Sequence, residues 1–175
     1  MNAIPLNEEY SRRTLVALMA DRPGVLSRVS NLFRRRNYNI ESLTVGHSET
    51  PNISRMTIVV HANDAVLEQV IKQLYTLIDV TKVSEIDDRE AVIRELALIK
   101  IHAPSGKRAE IKQLVDIFRA QIIDVSQDSM TVEITGTEDK VDSLIDILRS
   151  FGLKELTRTG RVAMARGAQN TNGAY

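Results

Sequence analysis

The spacing of apolar residues predicts an α+β chain made of two units in tandem, each running β-α-β-β-α-β. Three observations carry this. Residues 14–20 form a nearly unbroken apolar run (Leu15, Val16, Ala17, Leu18, Met19), as expected of a central strand covered on both faces. Apolar stripes at helical spacing follow and recur along the chain. The same order of elements then returns beyond the charged stretch Asp87-Asp88-Arg89-Glu90, which reads as a linker.

The first strand ends at the turn cluster Asp21-Arg22-Pro23-Gly24, with Pro23 where a helix can begin. Val25, Leu26, Val29, Leu32 and Phe33 make one helical face, and Arg34, Arg35 and Arg36 end that helix against its negative pole. Residues 39–45 read as a second strand and 54–61 as a third, in which Met56, Ile58 and Val60 face one way. Asn63 and Asp64 can cap a second helix whose stripe is Val66, Leu67, Val70, Ile71, Leu74 and Ile78. Residues 80–86 close the unit as a fourth strand.

In the second unit, residues 95–102 read as a strand, and Ile111, Leu114, Val115 and Phe118 share a helical face. A hairpin across Gln127-Asp128 sends Met130, Val132 and Ile134 inward and Thr131, Glu133 and Thr135 outward. Thr137 stands at the cap of a last helix bearing Val141, Leu144, Ile145 and Leu148, and residues 153–159 supply the final strand. Each unit is thus a split-βαβ, ferredoxin-like sandwich. Right-handed crossovers centre strands 1 and 3 and leave strand 2 as an exposed edge, open to pairing with another copy. The expected divisions are an N-terminal extension at 1–12, units at 13–87 and 94–165, a linker at 88–93 and a flexible tail at 166–175.

Composition narrows the function. Basic and acidic residues balance at 23 each, so bulk charge gives no reason to expect nucleic acid or an anionic membrane as partner. The absence of cysteine excludes disulfides, Cys-based zinc sites and thiol nucleophiles. No apolar run reaches the roughly 20 residues that cross a bilayer, and the N-terminus lacks the apolar core of a signal peptide, so a cytoplasmic protein is expected. His47, His61 and His102 fall in different elements without metal-ligand spacing. Ser105-Gly106-Lys107 is not the end of a phosphate-binding loop, because Ile101 stands where its first Gly belongs and Arg108 where Ser or Thr is required. An RNA-binding sheet of this topology needs aromatics on its central strands, and strands 1 and 3 of the first unit carry none.

What remains is the turn into the first helix. Its backbone N–H groups stand at a helix N-terminus, where an anion gains about 0.3–1 kcal/mol, and up to roughly 2 kcal/mol when partly buried. Gly24 has no Cβ, so a small ligand can approach the backbone closely. With D-R-P-G-V-L-S-R-V at 21–29 on a βαββαβ unit, the first half of the chain resembles an ACT domain, a module that binds amino acids for metabolic regulation. The runs R-N-Y-N-I-E-S-L-T-V at 36–45 and S-R-M-T-I at 54–58 are similar to those of acetolactate synthase small subunits. So are Val83-Ser84-Glu85, Arg94-Glu95-Leu96 and F-R-A-Q-I-I-D-V at 118–125, and the resemblance spans about residues 13–167.

That resemblance implies a non-catalytic regulatory subunit that activates a catalytic large subunit and confers feedback inhibition by valine in branched-chain amino acid biosynthesis. It implies a homodimer in which two ACT domains meet side by side through strand 2 and helix 1, with L-valine at the junction. The backbone N–H groups of Gly24, Val25 and Leu26 are expected to take the carboxylate. The Asp21 side chain and the Asn39 carbonyl of a second copy would take the ammonium, and Ile40 and Leu26 would line the side-chain pocket. Asp21 stands where many family members carry Asn; an acid there holds an ammonium at least as well but repels a carboxylate. Thiamine diphosphate, Mg²⁺ and FAD would belong to the large subunit, with no cofactor on this chain. The alternative is a free-standing ACT-type sensor acting on another partner such as a transcription regulator; it would need a helix-turn-helix unit, and both halves already read as sandwiches.

Overall fold

The computed structural model describes residues 10–167. Residues 1–9 of the expected extension and 168–175 of the expected tail lie outside the described residues. The first unit comprises β1 (Ser11–Ala20), α1 (Val25–Arg35), β2 (Ile40–His47), β3 (Ile53–Ala62), α2 (Asp64–Leu74) and β4 (Val80–Ile86). A 3-10 turn at Asp88–Glu90 leads into β5 (Ala91–His102), followed by α3 (Arg108–Ile117), β6 (Gln121–Val125), β7 (Ser129–Gly136), α4 (Glu138–Arg149), β8 (Leu153–Arg158) and β9 (Val162–Ala165). The sheets run β2-β3-β1-β4 and β6-β7-β5-β8, with β9 also pairing β5. Both are ferredoxin-like antiparallel sheets with strand 2 of each unit, β2 or β6, at an edge.

Alternation builds the first core. Leu15, Ala17 and Met19 of β1 and Met56, Ile58 and Val60 of β3 meet Val25, Val29, Leu32 and Phe33 of α1 and Leu67, Val70 and Leu74 of α2. The opposite faces of the same strands are buried as well, at Thr14, Val16, Leu18 and Val59. An unbroken apolar run is therefore what β1 requires. In the second unit, Ile99, Ile101, Val132 and Ile134 pack on Ile111, Val115, Val141, Leu144, Ile145 and Leu148.

The helix ends follow local chemistry. Asn63 caps α2 by accepting a hydrogen bond from the Val66 N–H at 2.9 Å. Asn63→Ala is expected to lower stability by about 1 kcal/mol, read as a fall in the urea midpoint at constant slope. Thr137 occupies the cap position of α4, yet its side chain makes no capping hydrogen bond. Ile78 departs from the predicted stripe: α2 stops at Leu74, reverse turns at Thr76 and Leu77 break the helical register, and Ile78 is 96% exposed.

The stretch between the units is more ordered than its charges suggest. Asp87 holds Arg89 within the turn, and β5 already begins at the buried Ala91. The chain also returns: Arg55 Nη2 donates to the Ala163 carbonyl at 2.8 Å, and Arg166 donates to the carbonyls of Glu90 and Ala91. Residues 163–167 accordingly group with the first compact unit, which runs to Val92, while the second is Ile93–Val162.

Candidate functional site at the β1–α1 turn

The turn leaving β1 is fixed by its backbone. The Ala20 N–H donates to the Asp79 carbonyl and the Asp21 N–H to the Asn52 carbonyl, both at 2.8 Å, which pins the strand end between two neighbouring loops. Gly24 then adopts φ +85°, a left-handed conformation that side chains disfavour, and it forms the N-cap of α1. No side chain caps this helix. The first α-helical bond is Arg28 N–H to the Gly24 carbonyl at 3.0 Å.

The donor set at this helix end differs from the expected one by one residue. The Val25 N–H already donates to the Arg22 carbonyl at 3.4 Å, and its side chain is buried in the core. The N–H groups of Gly24, Leu26 and Ser27 have no acceptor among the described residues. Leu26 leaves the apolar stripe and is 47% exposed, so its side chain stands beside these donors.

Two further side chains complete the charge pattern. Arg28 follows Gly24 by one helical turn, and its Nη1 lies 3.4 Å from the point where a Cβ on Gly24 would sit. Its Nη2 approaches Asp79 Oδ2 at 2.6 Å, a charge contact rather than an aligned hydrogen bond, and that oxygen is buried. Asp21 Oδ2 lies 3.2 Å from His47 Nδ1 at the far end of β2. Sequence reasoning sets His47 aside and does not single out Arg28, Ser27 or Asp79; only the spacing of four between Gly24 and Arg28 is a usable signal.

Asp21, Gly24 and Leu26 sit together, whereas Asn39 and Ile40 do not join them within one chain. β2 and β3 are antiparallel, as are β3 and β1, so β1 and β2 run in the same direction. Ile40 pairs with Val60, which pairs with Arg13 near the start of β1, while the turn follows Ala20 at its end. Seven strand steps separate Arg13 from Ala20, about 23 Å. Asn39 is exposed, and Ile40 is half-buried against the core of its own unit.

A hollow of about 830 Å³ lies at the start of β1, lined by Arg12, Arg13, Glu85 and the Asp87–Glu90 stretch among others. Among its charges, Arg13 pairs with Glu85 and Arg89 with Asp87, and Arg13 also pairs with Asp64 outside the lining. Hydrogen bonds donated to Asp64 and then Glu85 hold the Arg13 guanidinium above its ordinary pKa. Such a lining is a poor match for an aliphatic amino acid.

The turn between β5 and α3 is built differently. Arg108 donates to the carbonyls of Ala103, Ser126 and Gln127, tying the turn to the β6–β7 hairpin. Its glycine, Gly106, has no left-handed φ.

Comparison with known proteins matches both halves. Residues 15–82 match the family model described as an AHAS small subunit-like ACT domain, and residues 94–167 match that of the small subunit of acetolactate synthase. The chain is 58% identical over 156 residues to a probable acetolactate synthase small subunit of Archaeoglobus fulgidus, covering 89% of this chain and 98% of that one. It is 47% identical to the acetolactate synthase small subunit of Bacillus subtilis, covering 90% and 92%. The crystal structure of the Thermotoga maritima small subunit superposes with a TM-score of 0.86 at 45% identity, covering 91% of this chain and 99% of that one. With both units matched and the likeness running almost end to end, the chain belongs to the acetolactate synthase small subunits, the regulatory family of branched-chain amino acid biosynthesis.

Proposed function

We propose that the chain is a cytoplasmic valine sensor that activates the catalytic large subunit of acetolactate synthase and transmits feedback inhibition to it. The reading rests on the end-to-end separation of Gly24 and Asn39. If β2 pairs antiparallel with β2 of a second copy, the Asn39 end of that copy's strand comes alongside the His47 end of this one. The His47–Asp21 contact puts that end next to the β1–α1 turn. A two-fold pairing therefore assembles two composite sites, each with a turn from one copy and a strand start from the other.

In that site the valine carboxylate takes the N–H groups of Gly24, Leu26 and Ser27, with the Arg28 guanidinium adding positive charge behind Gly24. The ammonium takes the Asp21 carboxylate and the Asn39 carbonyl of the second copy. His47 Nδ1, 3.2 Å from Asp21 Oδ2, competes for that carboxylate. Leu26 and Ile40 of the second copy flank the isopropyl group. An extra methylene changes affinity by about 1–3 kcal/mol in such a pocket, so isoleucine and leucine bind less well than valine. Because the site spans two copies, valine stabilises the dimer by mass action, and a coupling of about 1–3 kcal/mol suffices to alter the large subunit several-fold. Thiamine diphosphate, Mg²⁺ and FAD, and the condensation of pyruvate, belong to that partner.

Calorimetric titration of L-valine into the chain, alone and reconstituted with the large subunit, tests this, with L-alanine as control. Saturable valine binding at one site per chain or fewer is expected, without comparable alanine binding. No saturable valine heat in either preparation at millimolar concentration would remove the sensing function.

A further inference from the structure

Among the described residues two carboxylates are buried, Glu95 at 4% exposure and Asp79 at 8%. They are held very differently. Glu95 accepts two aligned hydrogen bonds from the Arg158 guanidinium, one to each oxygen, which completes the pair within the second unit. Asp79 Oδ2 has Arg28 Nη2 at 2.6 Å, yet no aligned hydrogen bond reaches that oxygen. A carboxylate withdrawn from water and left short of a bond is costly, so its presence calls for a reason outside its own packing.

The topology places Asp79 at the effector turn. β1 and β4 pair antiparallel with Met19 opposite Val80, so the end of β1 lies beside the start of β4. The Ala20 N–H donates to the Asp79 carbonyl at 2.8 Å, which fixes that backbone against the β1–α1 turn. Arg28 then reaches the Asp79 carboxylate from α1, although its side chain is 48% exposed and water is open to it. Its other terminal nitrogen, Nη1, lies 3.4 Å from where a Cβ on Gly24 would sit. One planar group thus faces two ways, Nη2 toward a buried anion and Nη1 toward the glycine that opens the helix.

We infer that Asp79 is a positioning residue for the effector site: holding Arg28 through Nη2, it aims Nη1 at the carboxylate of the amino acid bound at the β1–α1 turn. The inference rests on the effector reading of that turn. An arginine left loose on an exposed helix surrenders its rotamer freedom each time it grips a ligand, whereas one held at its far nitrogen has surrendered it on folding. The oblique approach to Asp79 follows from the same demand. A guanidinium squared onto Asp79, as Arg158 is onto Glu95, would commit its fork to that carboxylate and turn away from Gly24. Asp79 therefore acts on the ligand only through Arg28, and only on a ligand that carries an anion.

Both consequences are measurable in the full-length chain reconstituted with the large subunit. L-Valine is titrated into wild type, Asp79→Asn, Arg28→Gln and the double variant. L-Valinamide, which keeps the ammonium and the isopropyl group but has no carboxylate, is titrated in parallel. Asp79→Asn is expected to weaken valine about fivefold and Arg28→Gln at least about tenfold. The double variant should match Arg28→Gln within about twofold, because removing Asp79 does nothing further once Arg28 is gone. Valinamide should bind the four chains alike. Arg28→Gln strands the buried carboxylate, so the double variant, with neither charge, is the folded reference for loss of the pair, checked by circular dichroism. Valine affinity unchanged in Asp79→Asn overturns the inference. So does an equal loss for valine and valinamide, which would make Asp79 a prop of the turn, or single-variant losses that multiply in the double variant. A wild-type chain that takes up no valine removes the sensing function itself, an outcome separate from any pattern among the variants.

Discussion

Holoenzyme carrying Gly24→Ile should keep its basal rate and lose its response to valine, with the half-inhibiting concentration raised at least about tenfold, or about 1.4 kcal/mol. Gly24 sits at φ +85°, where a residue other than Gly bears about 1–2 kcal/mol and a β-branched one more. The substituted chain has two ways out, and both disable the site. If it keeps the left-handed turn, the new side chain occupies the approach to the free N–H groups, its first carbon in van der Waals contact with Arg28 Nη1 at 3.4 Å. If it leaves that conformation, the donors of Gly24 and Leu26 turn away together. Gly24→Ala, with less strain and less bulk, should lie between wild type and Gly24→Ile. The rate without valine is the internal control. Inhibition that is unchanged in Gly24→Ile would place the effector elsewhere.

The contrast between the two β-α turns explains why sensing is assigned to one unit. Both follow a central strand and both contain a glycine, Gly24 or Gly106. In the first, the helix end is left with free N–H groups and an adjacent guanidinium held by a buried carboxylate. In the second, Arg108 is spent inward on three carbonyls, which closes the turn onto the hairpin. A glycine in a turn is therefore an ambiguous signal, and the hydrogen-bond partners around it decide its role.

Much of the fold was legible because one physical rule acted on long segments. The run from Leu15 to Met19, the alternation of Met56, Ile58 and Val60, and the stripe Val141, Leu144, Ile145 and Leu148 all report burial directly. What escaped was short or charged. β9 covers only Val162–Ala165, too brief for a period to register. β1 starts at Ser11 although Arg12 and Arg13 look unsuited to a strand, since their partners Glu41 and Glu85 are remote in sequence. β5 absorbs part of the expected linker because Ala91 is buried by chain that returns from the C-terminal end. At the site, Gly24 could be read from turn chemistry, whereas the wide separation of Asn39 from Gly24 needed the strand register.

Arg158→Leu is expected to destabilise the second unit by about 3–5 kcal/mol, a larger effect than any change at the β1–α1 turn. The Arg158 guanidinium meets Glu95 with two bonds, Nε to Oε1 at 2.6 Å and Nη2 to Oε2 at 2.7 Å, and it reaches Asp142 through Nη1 at 2.7 Å. The Glu95 hydrogen bonds, reinforced by Asp142, raise the pKa of Arg158 above its ordinary value, so the cation persists at any working pH. Glu95 is only 4% exposed, on the central strand β5, and Arg158 is its counter-charge from β8. Removing the arginine leaves a carboxylate with almost no access to water, whereas Asp142 is half exposed and loses little. The double variant Glu95→Leu/Arg158→Leu removes both charges and should recover most of the loss, because an apolar pair of similar size needs no compensating partner. Urea unfolding followed by far-ultraviolet circular dichroism distinguishes these outcomes. If the single variant loses less than about 1 kcal/mol, the pair behaves as a solvated surface contact, and the restraint between β5 and β8 comes from the apolar residues of the sheet alone.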